Sequence, residues 1–149
     1  MQAFKTQSPK ETEALAEGFA KYLKPGDVIA FFGSMGMGKT AFVRGLAKGL
    51  SLDVSVNSPT FAIVNDYGGN PPLAHFDMYR ISSWEDLYTT GFFDYMDMGA
   101  IIAVEWSENI ENALPDNAIR ITIEQGESEN ERIINIDGID LKGLEGFRI

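Results

Sequence analysis

Eight consecutive residues in the first third of the chain have the types and spacing that bind phosphate. Residues 33–40 read G-S-M-G-M-G-K-T, which matches the P-loop pattern G-x-x-x-x-G-K-[ST]. Glycines at this spacing let the backbone wrap around a phosphate, so that successive N–H groups point inward and bind oxygen. In this chemistry the Lys39 ammonium reaches the β- and γ-phosphates of a nucleotide, and the Thr40 hydroxyl holds Mg²⁺.

A P-loop enzyme also needs an acid near its Mg²⁺, usually at the end of an apolar strand. Glu105 ends the apolar run 100–104 and fits that position, although a surface glutamate just past a strand would give the same pattern. Asp77 is a second candidate, for holding the metal or orienting water, or else as an acid that stabilises a turn or pairs across strands. Thr60 is a candidate for sensing the γ-phosphate, and a threonine that merely begins a strand is a nearly equal alternative.

Two neighbours of these acids have an ordinary structural interpretation. The single histidine, His75, lies two residues before Asp77 and is more typical of packing or of a satisfied hydrogen bond. Trp106 follows Glu105, and a place in the core is the interpretation that its type favours. With one histidine and no cysteine, the chain has no multi-histidine metal site, zinc–thiolate site, disulfide or catalytic thiolate.

The elements around the loop stand in the order that a P-loop requires. Residues 28–32 are a short apolar run, typical of a buried strand, and they lead directly into the loop. The sequence therefore predicts strand, loop and helix, with the positive end of the helix facing the bound anion. Downstream of the loop, five apolar residues recur at helical spacing: Phe42, Val43, Leu46, Ala47 and Leu50.

Around this unit the sequence predicts further helices and a hairpin. An N-terminal helix is capped by Ser8, with Pro9 in its first turn, and residues 24–26 close it. After the P-loop helix we expect a hairpin whose first arm begins at residues 58–60. The remaining expected elements are a turn at 68–70, a strand at 73–79, a helix from Ser82 to near Gly91 with Ser82 and Glu85 as its capping pair, a strand at 100–105, a short helix at 108–114, and strands at 119–123 and 133–136.

These elements predict one α/β domain over residues 1–149. The expected architecture is a P-loop NTPase-like domain with a mixed parallel and antiparallel sheet flanked by helices. Ligands in such sheets bind at the carboxyl ends of the strands. We therefore expect the P-loop and Glu105 to lie at the same edge of the sheet.

Charge and hydropathy narrow the classes of partner. The chain has 149 residues and a net charge of −10, unevenly spread: residues 1–50 hold seven basic and four acidic side chains, and residues 51–149 hold five and eighteen. An acidic surface repels the nucleic-acid backbone, so direct RNA or DNA binding is disfavoured, and a face that docks on a protein explains the charge as well as simple solubility does. The sequence has no run of about 18 apolar residues and no apolar signal core near the N-terminus, so we expect a cytoplasmic protein.

Four sequence blocks, in their order and separations, resemble one family. They are the P-loop with A-F-V-R-G-L at 41–46, S-P-T-F at 58–61, H-F-D-M-Y-R at 75–80 and V-E-W at 104–106. Together they are similar to the bacterial TsaE family, also known as YjeE, over residues 8–136. The resemblance implies an ATPase of tRNA threonylcarbamoyladenosine (t6A) biosynthesis, with ATP and Mg²⁺ as its ligands.

The resemblance also implies partners and a site. A TsaE-like subunit binds the TsaB–TsaD pair, in which TsaD transfers the threonylcarbamoyl group to adenosine 37 of ANN-decoding tRNAs. The subunit therefore meets tRNA only through the complex, without a membrane, and its ATP hydrolysis is expected to be slow alone and faster with partners. The implied metal ligands are Thr40 and Glu105, the implied catalytic residues are Lys39, Thr60, Asp77 and Glu105, and the implied nucleotide-binding residues are Ser34, Met35, Gly36, Met37, Gly38, Lys39, Thr40, Ala41 and Arg132.

The P-loop departs from the family pattern at two positions. The family loop usually reads G-D-L-G-A-G-K-T, so Ser34 stands in place of an acid and Met37 in place of an alanine. Both changes leave the glycine cradle intact, and they bear on the rigidity of the loop and on its affinity for nucleotide.

Other classes of function share a P-loop. A small-molecule kinase needs an acceptor pocket and usually a lid with several arginines. A nucleotide-dependent switch that docks on partners without turnover uses the same loop, and the sequence does not distinguish it from an ATPase. A GTPase is the weakest alternative, because no Asn-Lys-x-Asp guanine signature occurs. The kinase alternative lacks clustered arginines in the sequence, because the arginines are dispersed along the chain, at Arg44, Arg80, Arg120, Arg132 and Arg148.

Overall fold

Seven strands form one mixed sheet in the computed structural model of the chain, which describes residues 2–33, 38–57, 59 and 63–149. The strands are β1 (Gln2–Thr6), β2 (Val28–Phe32), β3 (Val64–Gly69), β4 (Pro72–Asp77), β5 (Ile101–Glu105), β6 (Ile119–Gln125) and β7 (Arg132–Asp137). The helices are α1 (Pro9–Ala20), α2 (Lys39–Gly49), α3 (Trp84–Tyr88) and α4 (Phe92–Asp97), with short 3₁₀ helices at Ser107–Ala113 and Glu145–Phe147.

The centre of the sheet is parallel and its edges are antiparallel. The strand order is β1-β7-β6-β2-β5-β4-β3. Strand β2 runs parallel to both of its neighbours, β5 and β6, and β4 runs parallel to β5. The pairs β1–β7, β6–β7 and β3–β4 are antiparallel. The predicted α/β fold with a mixed sheet is confirmed. The carboxyl ends of β2, β4 and β5 lie together along one edge that runs across the strands, and this edge carries the site described below.

Strands β2 and β5 are apolar on both faces, because the sheet is covered on both sides. One face, which includes Phe31 and Ala103, packs against α1 and α2. The other face, which includes Ala30 and Val104, packs against α3, α4 and the first 3₁₀ helix. Successive side chains of a strand point to opposite faces, so Glu105 shares the face of Ala103 and lies on the α2 side of the sheet.

Helices α1 and α2 approach so closely that only glycine fits between them at two positions. A Cβ built on Gly45 would clash with the backbone oxygen of Glu13 and lie 2.6 Å from the Cβ of Ala16. A Cβ built on Gly49 would lie 2.5 Å from the Cβ of Ala20. Because these contacts advance along both helices together, α1 and α2 run side by side in the same direction.

Helix α1 begins at the predicted cap and ends earlier than predicted. The Oγ of Ser8 accepts a hydrogen bond from the N–H of Glu11 at 3.2 Å, and Pro9 is the first helical residue. The helix ends at Ala20, before the predicted closing residues 24–26. None of the helices in the described part of the chain has the length and apolar character that a membrane span requires.

The predicted cap and end of the helix near Ser82 are wrong. The N-cap is Ser83, whose Oγ accepts from the N–H of Asp86 at 3.1 Å, whereas Ser82 donates to the Asp86 carboxylate. Helix α3 ends at Tyr88. Gly91, with a φ of 85°, is the N-cap of α4, so this glycine begins a helix that the sequence did not predict.

The predicted hairpin is present, with a displaced turn. Residues 68–69 belong to the end of β3, and the chain reverses at residues 70–71. The second arm ends at Asp77, two residues before the predicted end. The predicted start of the first arm, at 58–60, lies outside the described residues except for the buried Pro59. Strand β1 was not predicted, and it pairs with β7 at an edge of the sheet.

Candidate functional site

The predicted P-loop connects the carboxyl end of β2 to the first turn of α2. Gly33 follows β2 with a φ of 112°, and Gly38 is the N-cap of α2 with a φ of 104°. Both glycines have left-handed backbone that residues with a Cβ rarely adopt, so the pattern glycines at the two ends of the loop have a conformational role. Four predicted loop residues lie outside the described residues: Ser34, Met35, Gly36 and Met37.

Lys39 is a buried cation at the start of α2. Only 3% of the residue is exposed, and its ammonium donates a hydrogen bond to the backbone carbonyl of Gly33 at 2.9 Å. The ammonium also lies 5.9 Å from the centroid of the Trp106 ring. No carboxylate of a described residue forms an ion pair with Lys39. Because lysine is seldom buried without a charged partner, this site suits a phosphate that would neutralise it.

The first turn of α2 offers further donors to an anion. The N–H groups of Lys39, Thr40 and Ala41 precede the first intrahelical hydrogen bond. That bond runs from the N–H of Phe42 to the carbonyl of Gly38, at 3.0 Å. The turn carries no acidic side chain, and the helix dipole adds positive potential there. The hydroxyl of Thr40, a partly buried residue, stands where a P-loop has its metal ligand.

Arg132 lies beside the N-terminus of α2, where the family resemblance expects a residue next to the nucleotide. Its Cγ atom is 4.0 Å from the position that a Cβ on Gly38 would take. Its guanidinium donates to the carbonyls of Glu129 and Glu131, at 2.8 and 2.9 Å, which holds it against its own loop. The recess at this place has a volume of about 130 Å³ and is lined by Pro9, Thr12, Gly38, Ala41, Asn130 and Arg132.

Glu105 and Asp77 stand side by side at the carboxyl ends of β5 and β4. They are register partners of a parallel pair, whose strands lie about 4.8 Å apart, so both acids share the sheet face that packs against α2. Glu105 is 9% exposed, and Asp77 is partly exposed. The structure thus brings both predicted acids to the edge of the sheet at which the P-loop begins.

The two acids have different hydrogen-bond partners. Oε2 of Glu105 lies 2.7 Å from Nε2 of His75. Oδ1 of Asp77 accepts from the N–H of Tyr79 at 2.9 Å, which is the turn-stabilising role that the sequence offers as its alternative. Each of these contacts uses one oxygen of a carboxylate, so the other oxygen of each acid can bind a metal or a water molecule.

The sequence favours a buried, hydrogen-bonded histidine at position 75, and the structure shows one. His75 is fully buried, and its Nδ1 lies 3.4 Å from the hydroxyl of Tyr67, a residue outside every predicted site. The β3–β4 register pairs Asn65 with His75, and Tyr67 follows two residues later on the same face. Alternation along this arm places Tyr67 on the face of His75 only once the register of the hairpin is known.

Trp106 is partly buried and packs against the core cluster that includes Val104, at the margin of the core. Its backbone is left-handed, with φ of 59° and ψ of 42°, which is uncommon for a large side chain. The ring centroid is 4.8 Å from that of Tyr79, and the Lys39 ammonium approaches the same ring. The left-handed residue directly after Glu105 thus has its ring beside the buried ammonium of Lys39.

The side-chain donors at this edge suit Mg²⁺, which needs only one or two protein carboxylates, better than a metal whose ligands all come from the protein. Within residues 2–33, 38–57, 59 and 63–149, no group of three or more histidine, aspartate or glutamate side chains could hold a metal ion. Mg²⁺ commonly takes one or two carboxylates, and substrate phosphates and waters complete its coordination. Glu105 offers one such carboxylate, and Thr40 offers a hydroxyl in the first turn of α2. Thr60, the predicted sensor of the γ-phosphate, lies outside the described residues.

Known proteins resemble this chain over most of its length. The family model described as "Threonylcarbamoyl adenosine biosynthesis protein TsaE" matches residues 6–134. The tRNA threonylcarbamoyladenosine biosynthesis protein TsaE of Bacillus subtilis is 41% identical over 131 residues, covering 86% of this chain and 81% of the relative. The protein of the same name from Rickettsia typhi is 37% identical over 131 residues, with 87% and 90% covered.

The fold is shared as well. The crystal structure of Bacillus subtilis YdiB superposes with a TM-score of 0.71 at 36% identity, covering 90% of this chain and 82% of that one. The family model and the curated relatives agree with the four sequence blocks. The chain therefore belongs to the TsaE family of threonylcarbamoyl adenosine biosynthesis proteins.

Proposed function

We propose that the chain binds ATP with Mg²⁺ at the P-loop edge of the sheet and hydrolyses the ATP slowly. The hydrolysis supports threonylcarbamoyl transfer to adenosine 37 of ANN-decoding tRNAs. The observation that carries the proposal is Lys39, a buried ammonium with no carboxylate partner among the described residues, at the first turn of α2. Membership of the TsaE family supplies the setting of tRNA modification.

The residues of the site have distinct tasks in this reaction. Lys39 and the first N–H groups of α2 bind phosphate oxygens and oppose the negative charge that develops during phosphoryl transfer. Thr40 and Glu105 would hold Mg²⁺, which would neutralise part of that charge. Asp77, beside Glu105, orients the attacking water through Oδ2, the carboxylate oxygen that does not accept from Tyr79. The recess beside Arg132 receives the part of the nucleotide beyond the phosphates.

The positions of the arginines favour ATP hydrolysis over phosphate transfer to a metabolite. Arg44 pairs with Glu13 at 3.6 Å, and Arg120 pairs with Glu111 at 2.9 Å. The guanidinium of Arg148 lies 5.3 Å from the centroid of the Phe4 ring on β1, at the far edge of the sheet. A kinase usually gathers several arginines around its acceptor and lid, whereas these three serve other parts of the fold.

We also propose a TsaB–TsaD-like pair as the partner, with tRNA contacted only through the complex. Residues 51–149 hold eighteen acidic and five basic side chains. Exposed acids such as Glu85, Asp94 and Asp97 lie on or beside α3 and α4, on the sheet face opposite to α1 and α2. A surface of this charge repels a nucleic-acid backbone and complements a basic protein face.

ATP turnover in three mixtures tests the proposal: the protein alone, the protein with the TsaB–TsaD pair, and the protein with the pair and tRNA. We expect slow hydrolysis alone, faster hydrolysis with the pair, and little affinity of the isolated protein for tRNA. Docking should weaken as salt is added, because exposed charges are screened over about 8 Å at physiological ionic strength. Turnover that stays the same in all three mixtures, together with phosphate transfer to a small metabolite, would favour a kinase instead. ATP binding without turnover in any mixture would favour a switch.

A further inference from the structure

A buried histidine links Glu105 to the hairpin of β3 and β4. His75 is fully buried on β4, and its Nε2 lies 2.7 Å from Oε2 of Glu105. Its other ring nitrogen, Nδ1, lies 3.4 Å from the Tyr67 hydroxyl on β3. The imidazole therefore has a polar partner on each side, and rotation of the ring would break both contacts at once.

The Tyr67 hydroxyl is itself anchored. It donates a hydrogen bond to the backbone carbonyl of Asn57 at 2.9 Å. The side-chain amide of Asn65 donates to the same carbonyl at 3.1 Å and lies 3.4 Å from the Tyr67 oxygen. A continuous path of polar contacts thus runs from Asn57 through Tyr67 and His75 to Glu105, across three adjacent strands.

The contact between His75 and Glu105 is diagonal in the sheet. The parallel register aligns His75 with Ala103 and Glu105 with Asp77. The hydrogen bond therefore holds the Glu105 carboxylate toward the register pair of His75 and Ala103. Without it, the side chain would sample the several rotamers open to a glutamate. Because Oε2 contacts His75, Oε1 is the oxygen that can bind a metal without breaking this hydrogen bond.

We propose that His75 is a positioning residue for Glu105, and that Tyr67 fixes the orientation of His75. The inference rests on the proposed role of Glu105 as a Mg²⁺ ligand. Residues behind a metal ligand set its orientation, and their removal typically costs about 10- to 100-fold in metal affinity or activity. A buried pair that only packed the sheet would instead change stability and leave metal binding unaltered.

Metal binding can be measured without turnover. The protein is saturated with a non-hydrolysable ATP analogue, and Mn²⁺, a paramagnetic substitute for Mg²⁺, is titrated while EPR follows the free ion. His75→Ala should weaken Mn²⁺ binding about 10- to 100-fold. His75→Gln should recover part of that loss, because its amide can donate to Glu105. Tyr67→Phe, which removes the hydroxyl beside Nδ1 of His75, should weaken Mn²⁺ binding about two- to tenfold.

Tyr95→Phe is the matched control. It removes a tyrosine hydroxyl that donates to Asp66 at 3.0 Å, outside the path to Glu105, and it should bind Mn²⁺ as the unchanged protein does. Thermal unfolding shows whether each variant is folded. Tyr67→Phe keeps the ring and its packing, so it decides the question even if His75→Ala does not fold.

The outcomes separate this inference from the proposed function. If the unchanged protein binds neither the analogue nor Mn²⁺, the proposed function fails and the inference fails with it. If Glu105→Ala loses Mn²⁺ affinity while the Tyr67 and His75 variants keep it, the positioning role is overturned and the metal role of Glu105 stands. Losses in the expected order, with Tyr95→Phe unchanged, support His75 as the residue that positions Glu105.

Discussion

The ammonium of Lys39 and the backbone carbonyl of Gly33 are joined by a 2.9 Å hydrogen bond between the two ends of the P-loop. Gly33 directly follows β2, and Lys39 is the first residue of α2. The lysine therefore ties the start of the loop to the helix, and its remaining ammonium hydrogens can bind a further acceptor.

Lys39→Met should weaken ATP binding, because the phosphates lose a charged donor in a buried site. A lost charge-assisted contact costs about 1.5–3 kcal/mol, or roughly 10- to 150-fold in affinity. The control is Lys21→Ala, at an exposed lysine that follows α1, which should leave the affinity unchanged. Titration of a fluorescent ATP analogue measures both. Equal affinities of the Lys39 variant and the unchanged protein would remove the P-loop from the proposed site.

Glu105→Ala should lower ATP turnover far more than nucleotide affinity, because a metal ligand acts mainly on charge that develops in the transition state. Asp77→Asn is the matched comparison. If Asp77 orients water, this variant should turn over slowly and keep the Mg²⁺ concentration needed for half-maximal rate. Single-turnover hydrolysis across a series of Mg²⁺ concentrations separates the two roles. Unchanged turnover and Mg²⁺ dependence in Glu105→Ala would transfer the metal role to Asp77.

Gly45→Ala should destabilise the fold, because the new methyl group would clash with the backbone of Glu13 and with Ala16. Overpacking of this kind costs about 1–3 kcal/mol. Gly146→Ala is the control, since a Cβ there would meet no described atom within 4 Å. Urea denaturation gives the free energy of unfolding for both variants. An unchanged midpoint for Gly45→Ala would show that α1 and α2 can separate at no cost.

Glu13 should contribute a pH-dependent part of the stability. Its hydrogen bond with Lys48, partly opposed by burial, holds the pKa of the Glu13 carboxyl below its ordinary value of 4.5. Folding therefore favours the charged form, so the stabilisation is present above pH 4.5 and is lost as the pH falls through the folded-state pKa. Glu13→Gln should lower stability at neutral pH and flatten its dependence on pH in the acid range.

Urea denaturation of Glu13→Gln and of the unchanged protein, at pH values from about 7 down to 3, measures the contribution of the Glu13 charge to stability. The difference in free energy of unfolding should shrink toward acid. Parallel curves over the whole range would mean that Glu13 makes no net contribution through its charge.

Local sequence was sufficient for the elements that carry Lys39 and Glu105. Strands β2 and β5 are short apolar runs buried on both faces, and such runs can be recognised from residue types alone. The acid at the end of β5 and the loop after β2 then reach one edge, because parallel strands of a sheet share their carboxyl ends.

The contact between Tyr67 and His75 could not be predicted in the same way, because it depends on the register of the hairpin. The pairing of β3 with β4 shifts between Asp66 and Gly69, and the turn is at residues 70–71. A turn expected at 68–70 would align the two arms differently, and a slip of one residue reverses the face of every side chain.

Glycine was ambiguous at the start of α4. Gly91 has the left-handed backbone that commonly ends a helix, so its residue type predicts a helix end near this position. In the structure the same backbone leads the chain into helix α4, whose first residue, Phe92, is buried in the core between the helix and the sheet. Tertiary burial of Phe92, rather than local propensity, decides that a helix follows.

The close approach at Gly45 and Gly49 means that α1 and α2 cannot slide or part independently. Helix α2 carries Lys39, and Thr12 of α1 lines the recess beside Gly38. The contacts of Gly45 and Gly49 with α1, farther along both helices, therefore help to set the width of that recess. The side chains that line the recess do not set it alone. In the proposed site the nucleotide would therefore meet a recess of fixed width, and substitutions between α1 and α2, away from the recess, would change which ligands it admits.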